Sequence, residues 1–310
     1  MNNIISAIPV LIQLVRTLSS SPSSQNNKNS DILLNACWAL AYLTDDNESV
    51  VQALIEQNLT LTCVTLLTHE SSKIVHVALR ILGNFIVSGY IREIIEAINL
   101  ISANTKAENS NRITETKVNM MEYTSSLFTT PKYKDDKNLR NEAFYFLSLV
   151  ADSGTEYIDE MLVNLSSSSS EHQLKILFQI MQTSSLNERM DATWVMFNIA
   201  KNGTDAQLGA LVGHGVIPAL CYNLSVPDTK FTLLVLDSIE NFLLVGDRLE
   251  LDCRILLEEC GGYEKMELLL NAENDDVYRK TNFIFEEFFE NNNNTDSAAM
   301  DEWYQDSWYY

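Results

Sequence analysis

The chain has 310 residues, of which 46% are apolar, enough to bury a core and too many for a disordered chain. Its 42 acidic residues against 21 Lys and Arg leave a net charge of −21, a surface that repels nucleic acid and attracts basic partners through a field that salt screens. The cysteines Cys37, Cys63, Cys221, Cys253 and Cys260 show neither a CxxC pair nor metal spacing with histidine, so buried reduced thiols are expected, with no metal and no cofactor.

From the first residue onward the apolar positions fall at helical spacing. MNNIISAIPVLIQLVRTL lacks a basic leader and is broken by Asn, Ser, Gln and Arg. It reads as an amphipathic helix rather than a signal peptide or a membrane span, which places the chain in cytoplasm or nucleus. A polar break, SSSPSSQNNKNS, precedes NACWALAYL, where Leu33, Ala36, Cys37 and Leu40 share a helix face. ALRILGNFIVSG follows, and then a polar stretch from Ile101 to Asn119 that is poor in large apolar groups and is expected as a surface loop. NEAFYFLSLVADSG comes next, then a break at SSSSSE (166–171), DATWVMFNIAKNG, and LDSIENFLLVG. No segment shows clean period-two alternation, so the chain reads as all-α.

The helical segments share one frame: a small residue, then Trp or its substitute, then a polar or aromatic residue four later. Trp38, Arg80, Tyr145, Trp194 and Asp237 occupy the first position; Tyr42, Asn84, Leu149, Asn198 and Asn241 occupy the second. The spacings are 42, 65, 49 and 43 residues, with the loop insertion near 101–119 accounting for the long step. Periods of this size are those of armadillo and HEAT repeats, helix units stacked into a superhelix. One elongated solenoid over 1–290 is expected, followed by an acidic and aromatic tail, 291–310, that reads as a disordered terminus or a docking peptide.

In a solenoid, equivalent positions form rows. A single Trp on a helix is ordinarily core, but a row in which polar and charged groups recur is not an ordinary core face. Parallel indoles make slots for the aliphatic stems of Lys or Arg, with a cation–π attraction of about 0.5–2 kcal/mol per contact. Asn one turn away offers donors and an acceptor to the backbone of an extended peptide. Glu142 and Asp191 lie three residues before their frame positions, on the same helix face, and Glu240 lies beside Asn241. The combination selects extended basic peptides.

These residues resemble a known family. CWALAYL, ALRILGNFIVSG, DATWVMFNIA, GVIPALCYNLSVPD and the closing LLEECGGYEKMELLLNAENDDVYRKTNFIFEEFF are similar to importin alpha, the armadillo-repeat receptor for basic nuclear localisation signals. The match covers nearly the whole chain and the second half of a typical member, with Trp38 on the fifth repeat and Asp237 on the ninth. The resemblance implies a right-handed superhelical solenoid whose concave groove binds such signals at the minor site. Its implied peptide-facing residues are Arg80, Asn84, Asp191, Trp194 and Asn198, with Glu142 beside a seventh rung where Tyr145 and Leu149 replace the family's Trp and Asn. Weakened or altered binding is expected at that rung. Trp38, Tyr42 and Asn241 complete the candidate row. The recycling exportin is an implied partner of the last repeats. No basic segment of the kind that binds importin beta precedes the repeats, so that partner is left open, and either a short paralogue or an N-terminally incomplete chain fits.

Two functions remain in view: an import adaptor for basic signals, and an armadillo scaffold or regulator that no longer carries cargo. Catalysis is not expected: no phosphate loop, HExxH or G-x-S-x-G elbow occurs.

Overall fold

The computed structural model describes residues 7–19, 27–109, 127, 133, 136–162 and 168–290. Its described elements are α-helices closed by a π-helical turn, Glu286–Glu290, and no strand occurs among them. Helices α1 (Ile8–Ser19) and α2 (Asn27–Thr44) come first, then α3 (Glu48–Glu56), α4 (Leu59–Leu66) and α5 (Ser72–Val87). Helices α6 (Ile91–Asn109) and α7 (Lys137–Asp152) follow, then α8 (Thr155–Leu162), α9 (Ser168–Thr183) and α10 (Leu186–Asn202). Two triplets finish the chain: α11 (Asp205–Gly213), α12 (Val216–Asn223), α13 (Thr229–Leu249), and α14 (Cys253–Glu259), α15 (Gly262–Leu269), α16 (Asp275–Phe285).

Local chemistry marks these boundaries. Side chains of Asn47, Asp136 and Asp228 accept hydrogen bonds from backbone N–H groups in the first turns of α3, α7 and α13. Ser185 with Glu188, and Thr204 with Gln207, form reciprocal capping boxes at α10 and α11. The turn before the second helix of a triplet is left-handed in three places: Asn58 at φ 52°, Gly215 at 94° and Gly261 at 73°. Glycine adopts that backbone without a Cβ penalty, and Asn is among the few side chains that tolerate it.

The third helix of each unit packs against the third helix of the next, so that α2, α5, α7, α10, α13 and α16 form one continuous row. Each is covered on most sides. In α5, Ile74, Val75, Ala78, Leu79, Ile81, Leu82 and Phe85 are buried, while Arg80 is exposed and Asn84 half-buried. In α10, Ala192, Val195, Met196 and Ile199 are buried and Trp194 is exposed. One narrow strip per helix reaches solvent, and it carries the frame positions. The fold is an all-α armadillo solenoid.

Polar bonds staple successive long helices together. Asn84 Nδ2 donates to the Ala41 carbonyl at 3.0 Å and to Thr44 Oγ1 at 2.9 Å. Asn198 Nδ2 donates to the Ser148 carbonyl at 2.9 Å, and Asn202 Nδ2 to the Ala151 carbonyl at 3.2 Å. Arg140 Nε donates to Glu188 Oε1 at 2.6 Å, and Ser185 adds a second donor, so that Glu188 is held below the ordinary carboxylate value despite its burial.

Three expected breaks are placed differently, and the first, SSSPSSQNNKNS at 19–30, is entered by α2 at Asn27. The polar stretch 101–119 begins as helix, because α6 runs to Asn109; residues 110–119 lie outside the described ones. Its Ala, Lys and Glu are good helix formers, and extending an existing helix costs far less than starting one. The serine run 166–171 is entered by α9 at Ser168, and Ser is favoured where helices start. The tail 291–310 lies outside the described residues.

Replacing Asn198 by Ala removes the buried bond to the Ser148 carbonyl and is expected to lower the unfolding free energy by about 0.5–1.5 kcal/mol. Asn241→Ala, which loses only a bond within its own helix, is expected to change it by less than about 0.5 kcal/mol. Urea unfolding followed by helical circular dichroism checks both.

Candidate peptide-binding strip

Along the stacked long helices the candidate residues do lie in one row, but they differ in what they have left to offer. Trp38 packs against the core at its edge and stacks on Tyr42, with ring centroids 5.6 Å apart and planes 29° apart. The ring of His76 from the next helix meets Trp38 edge-on at 5.6 Å. Tyr42 is 73% exposed, so this rung presents a broad aromatic face.

The next rung is occupied by the chain itself. Arg80 Nη2 donates to Glu142 Oε2 at 2.6 Å, and its guanidinium lies 5.6 Å from the centroid of the Tyr145 ring. His76 Nε2 approaches the same carboxylate oxygen at 3.3 Å. A cation over an aromatic face with its tip on a carboxylate is the arrangement expected for a bound Lys or Arg, and here Arg80 supplies the cation from the neighbouring helix. Glu142 is buried, and its Oε1 has no hydrogen-bond partner among the described residues. Leu149 leans across to α5, where its Cδ1 approaches Gly83 closely enough to meet an added Cβ at 3.4 Å. An apolar contact therefore replaces the amide staple that Asn84 and Asn198 make at the adjacent junctions.

The rung on α10 is open. Trp194 is 50% exposed, with Phe197 beside it at a centroid distance of 5.5 Å. Asp191, one turn back, is half-buried and has no cationic partner among the described residues. Burial and the nearby Glu188 charge raise its carboxyl above the ordinary aspartate value. An approaching ammonium or guanidinium would relieve both effects. Asn198, by contrast, is 6% exposed, and its amide nitrogen is engaged with the Ser148 carbonyl. The same holds for Asn84, whose Nδ2 makes two bonds to α2. Asn84 spends both amide donors on the solenoid and keeps its side-chain carbonyl for a ligand, whereas Asn198 spends one donor and keeps its carbonyl and one N–H.

The ninth rung is closed. Asn241 Nδ2 turns back to the Asp237 carbonyl of its own helix at 2.9 Å. Asp237 and Glu240 both pair with Lys280 of α16, Asp237 Oδ1 at 2.5 Å and Glu240 more closely still. The two carboxylates raise the Lys280 ammonium pKa against the opposing effect of burial. Sequence reasoning missed Lys280, although a signal was present: it follows Asp237 by 43 residues, the same step that separates Asp237 from Trp194, and so continues the frame. Glu240 and Asp237 are thus neutralised from within, as is Glu142, and among the described residues Asp191 is a carboxylate of the row without a cation.

Known proteins resemble this chain in sequence and in fold. A family model described as "Atypical Arm repeat" matches residues 254–302. Importin subunit alpha-3 of Arabidopsis thaliana is 25% identical over 298 residues, covering 93% of this chain and 48% of its own length. Importin subunit alpha-4 of the same plant is 26% identical over 291 residues, covering 91% and 47%. The chain is similar to importin alpha subunits over nearly its whole length. It spans about half the length of these curated relatives, matching their C-terminal half. Within a shorter stretch, importin subunit alpha-3 of Caenorhabditis elegans is 34% identical over 94 residues, covering 30% of this chain and 18% of that protein. Among solved structures, a designed armadillo repeat protein in complex with the peptide (KR)4 superposes with a TM-score of 0.67 at 20% identity, covering 90% of this chain and 99% of that one. That likeness concerns the fold. No cluster of His, Cys, Asp or Glu that could hold a metal occurs among the described residues, and no described helix is long and apolar enough to cross a membrane.

Lys280→Met leaves Asp237 and Glu240 side by side on α13 with no cation across the partly buried junction, and is expected to cost about 1–3 kcal/mol, below the range for a fully buried pair. The urea midpoint of the variant against the parent chain measures it.

Proposed function

We propose that the chain is a nuclear import adaptor that binds extended basic signal peptides along the strip of its long helices. The observation that carries this reading is the open slot on α10: an exposed indole, Trp194, with an unpaired half-buried carboxylate, Asp191, one turn away. A Lys or Arg stem lies on the indole and its charged tip meets Asp191. Tyr145 and the Trp38–Tyr42 pair extend the aromatic surface to either side of Arg80. The net charge of −21 draws basic segments to the strip and makes their association salt-dependent. The importin subunit alpha relatives support the same reading, and so does the fold shared with a designed protein solved with (KR)4. On this reading the partners are basic nuclear localisation signals, with the recycling exportin on the last repeats, and the protein moves between cytoplasm and nucleus. Importin beta is left open.

A second reading has its own observation. Two rungs are satisfied internally, by Arg80 on Glu142 and by Lys280 on Asp237 and Glu240. An armadillo scaffold that has given up cargo retains such a self-paired strip, with its binding surface elsewhere.

A fluorescent Lys/Arg-rich peptide titrated at low salt separates the two. Under the adaptor reading Trp194→Ala weakens binding about 2- to 30-fold, the equivalent of the cation–π contribution. No binding at low salt, or binding indifferent to Trp194→Ala, favours the scaffold. The pH dependence adds a second readout. Because the Asp191 carboxyl is raised, it loses its charge at a higher pH than an ordinary aspartate as the solution is acidified. Binding is therefore expected to weaken as pH falls from 7 toward 4.5, and Asp191→Asn removes that component.

A further inference from the structure

Cys221 and Cys260 meet where the last two repeats join. Cys221 lies in the last turn of the second helix of one triplet, α12, and is fully buried; Cys260 caps α14, the first helix of the next, and is half-buried. The two thiols are close enough for each to shift the other's ionisation. Gly262, two residues beyond Cys260, passes so close to the Cys221 sulfur that a Cβ there would lie 2.4 Å from it. The Cys260 thiol also reaches the Leu257 carbonyl at 3.4 Å. Above the pair, Lys265 of α15 is held in place by neutral groups: its Nζ donates to the Cys221 carbonyl at 2.9 Å and sits 5.6 Å from the centroid of the Tyr222 ring.

The two sulfurs therefore have opposite chemistry. The neighbouring Cys260 thiol and burial push the Cys221 thiol far up. The Cys221 thiol, the Gly262 N–H and the Lys265 ammonium bring Cys260 down to about 7. Cys37 and Cys63, the other closely spaced pair, are both raised by burial and have no cation among the causes of their shifts. A half-buried thiolate beside a buried thiol is the arrangement of an attacked and a resolving cysteine.

We propose that Cys260 and Cys221 are a peroxide-responsive pair that closes a disulfide across the junction of the last two repeats. The Cys260 thiolate attacks a peroxide oxygen: an S–O bond forms, the O–O bond breaks, hydroxide leaves, and Cys260 becomes a sulfenic acid. The Cys221 sulfur then attacks the Cys260 sulfur. The S–S bond forms, the S–O bond breaks, and the departing hydroxide takes the Cys221 proton as water. Two thiols are oxidised and one peroxide is reduced. The product ties α12 to α14 and restricts the sliding of one repeat against the next, which in a solenoid is transmitted along the row.

The whole chain, treated at pH 7 with one equivalent of hydrogen peroxide and then alkylated in denaturant, tests this. Alkylatable thiols are expected to fall from the five in the sequence by two, with a non-reducing peptide map joining Cys221 to Cys260 and dithiothreitol reversing the link. Cys221→Ala is expected instead to leave a sulfenic acid on Cys260 that dimedone traps. Alkylation of the untreated native chain needs no variant: Cys260 is expected to react fastest, and Lys265→Met to slow it about three- to tenfold at pH 7. Retention of all five thiols, a link between Cys37 and Cys63, or over-oxidation of Cys260 with Cys221 still free would each overturn the proposal.

Discussion

The whole structure depends on how completely the third helix of each repeat is covered. Its flanks are buried by the third helices before and after it and by the shorter helices behind, so a single residue per turn reaches solvent. The side chains at Tyr42, Arg80, Tyr145 and Trp194 are exposed for that reason, while the residues on either side of Arg80, Tyr145 and Trp194 are buried and Tyr42 lies between buried Ala41 and half-buried Leu43. A row so narrow, repeated at a fixed step, is a surface suited to an extended chain rather than to a globular partner or a small molecule.

The same constraint explains why polar residues in the row have two duties. Asn84 and Asn198 sit where the strip meets the next helix, so their amide nitrogens reach a neighbouring backbone carbonyl and staple the junction. Arg80 and Lys280 reach across that junction to carboxylates. Leaving a buried carboxylate such as Glu142 without a cation is costly, and a neighbouring repeat is the nearest place to find one. What the row keeps for a ligand is the remainder after these demands are met, and that remainder is concentrated around Trp194 and Asp191.

Repeat junctions also bring together residues remote in the chain. Cys221 and Cys260 belong to different triplets and meet only because α12 and α14 pack. Lys265 is fixed against them by a backbone carbonyl and a tyrosine ring, so one small region combines the cation, the buried thiol and the half-buried thiol.

Helical periodicity and the recurrence of the frame made the all-α solenoid legible in the sequence, and the row of frame positions with it, because both follow from which residues must be buried once per turn. Trp194 was identifiable as a strip residue from its register with Trp38 and Tyr145. The recurrence also contained Lys280, unread because an acid at Asp237 gave no reason to look for a cation one repeat later. The sequence by itself determined the period, the helices and the composition of the row. Only the tertiary structure decided which of those residues are already taken: that Asn198 bonds to Ser148, that Arg80 lies on Tyr145 and Glu142, and that Asp191 has no cationic partner among the described residues. Pairing across a junction depends on side-chain reach between two helices, and no pattern along one helix carries that information.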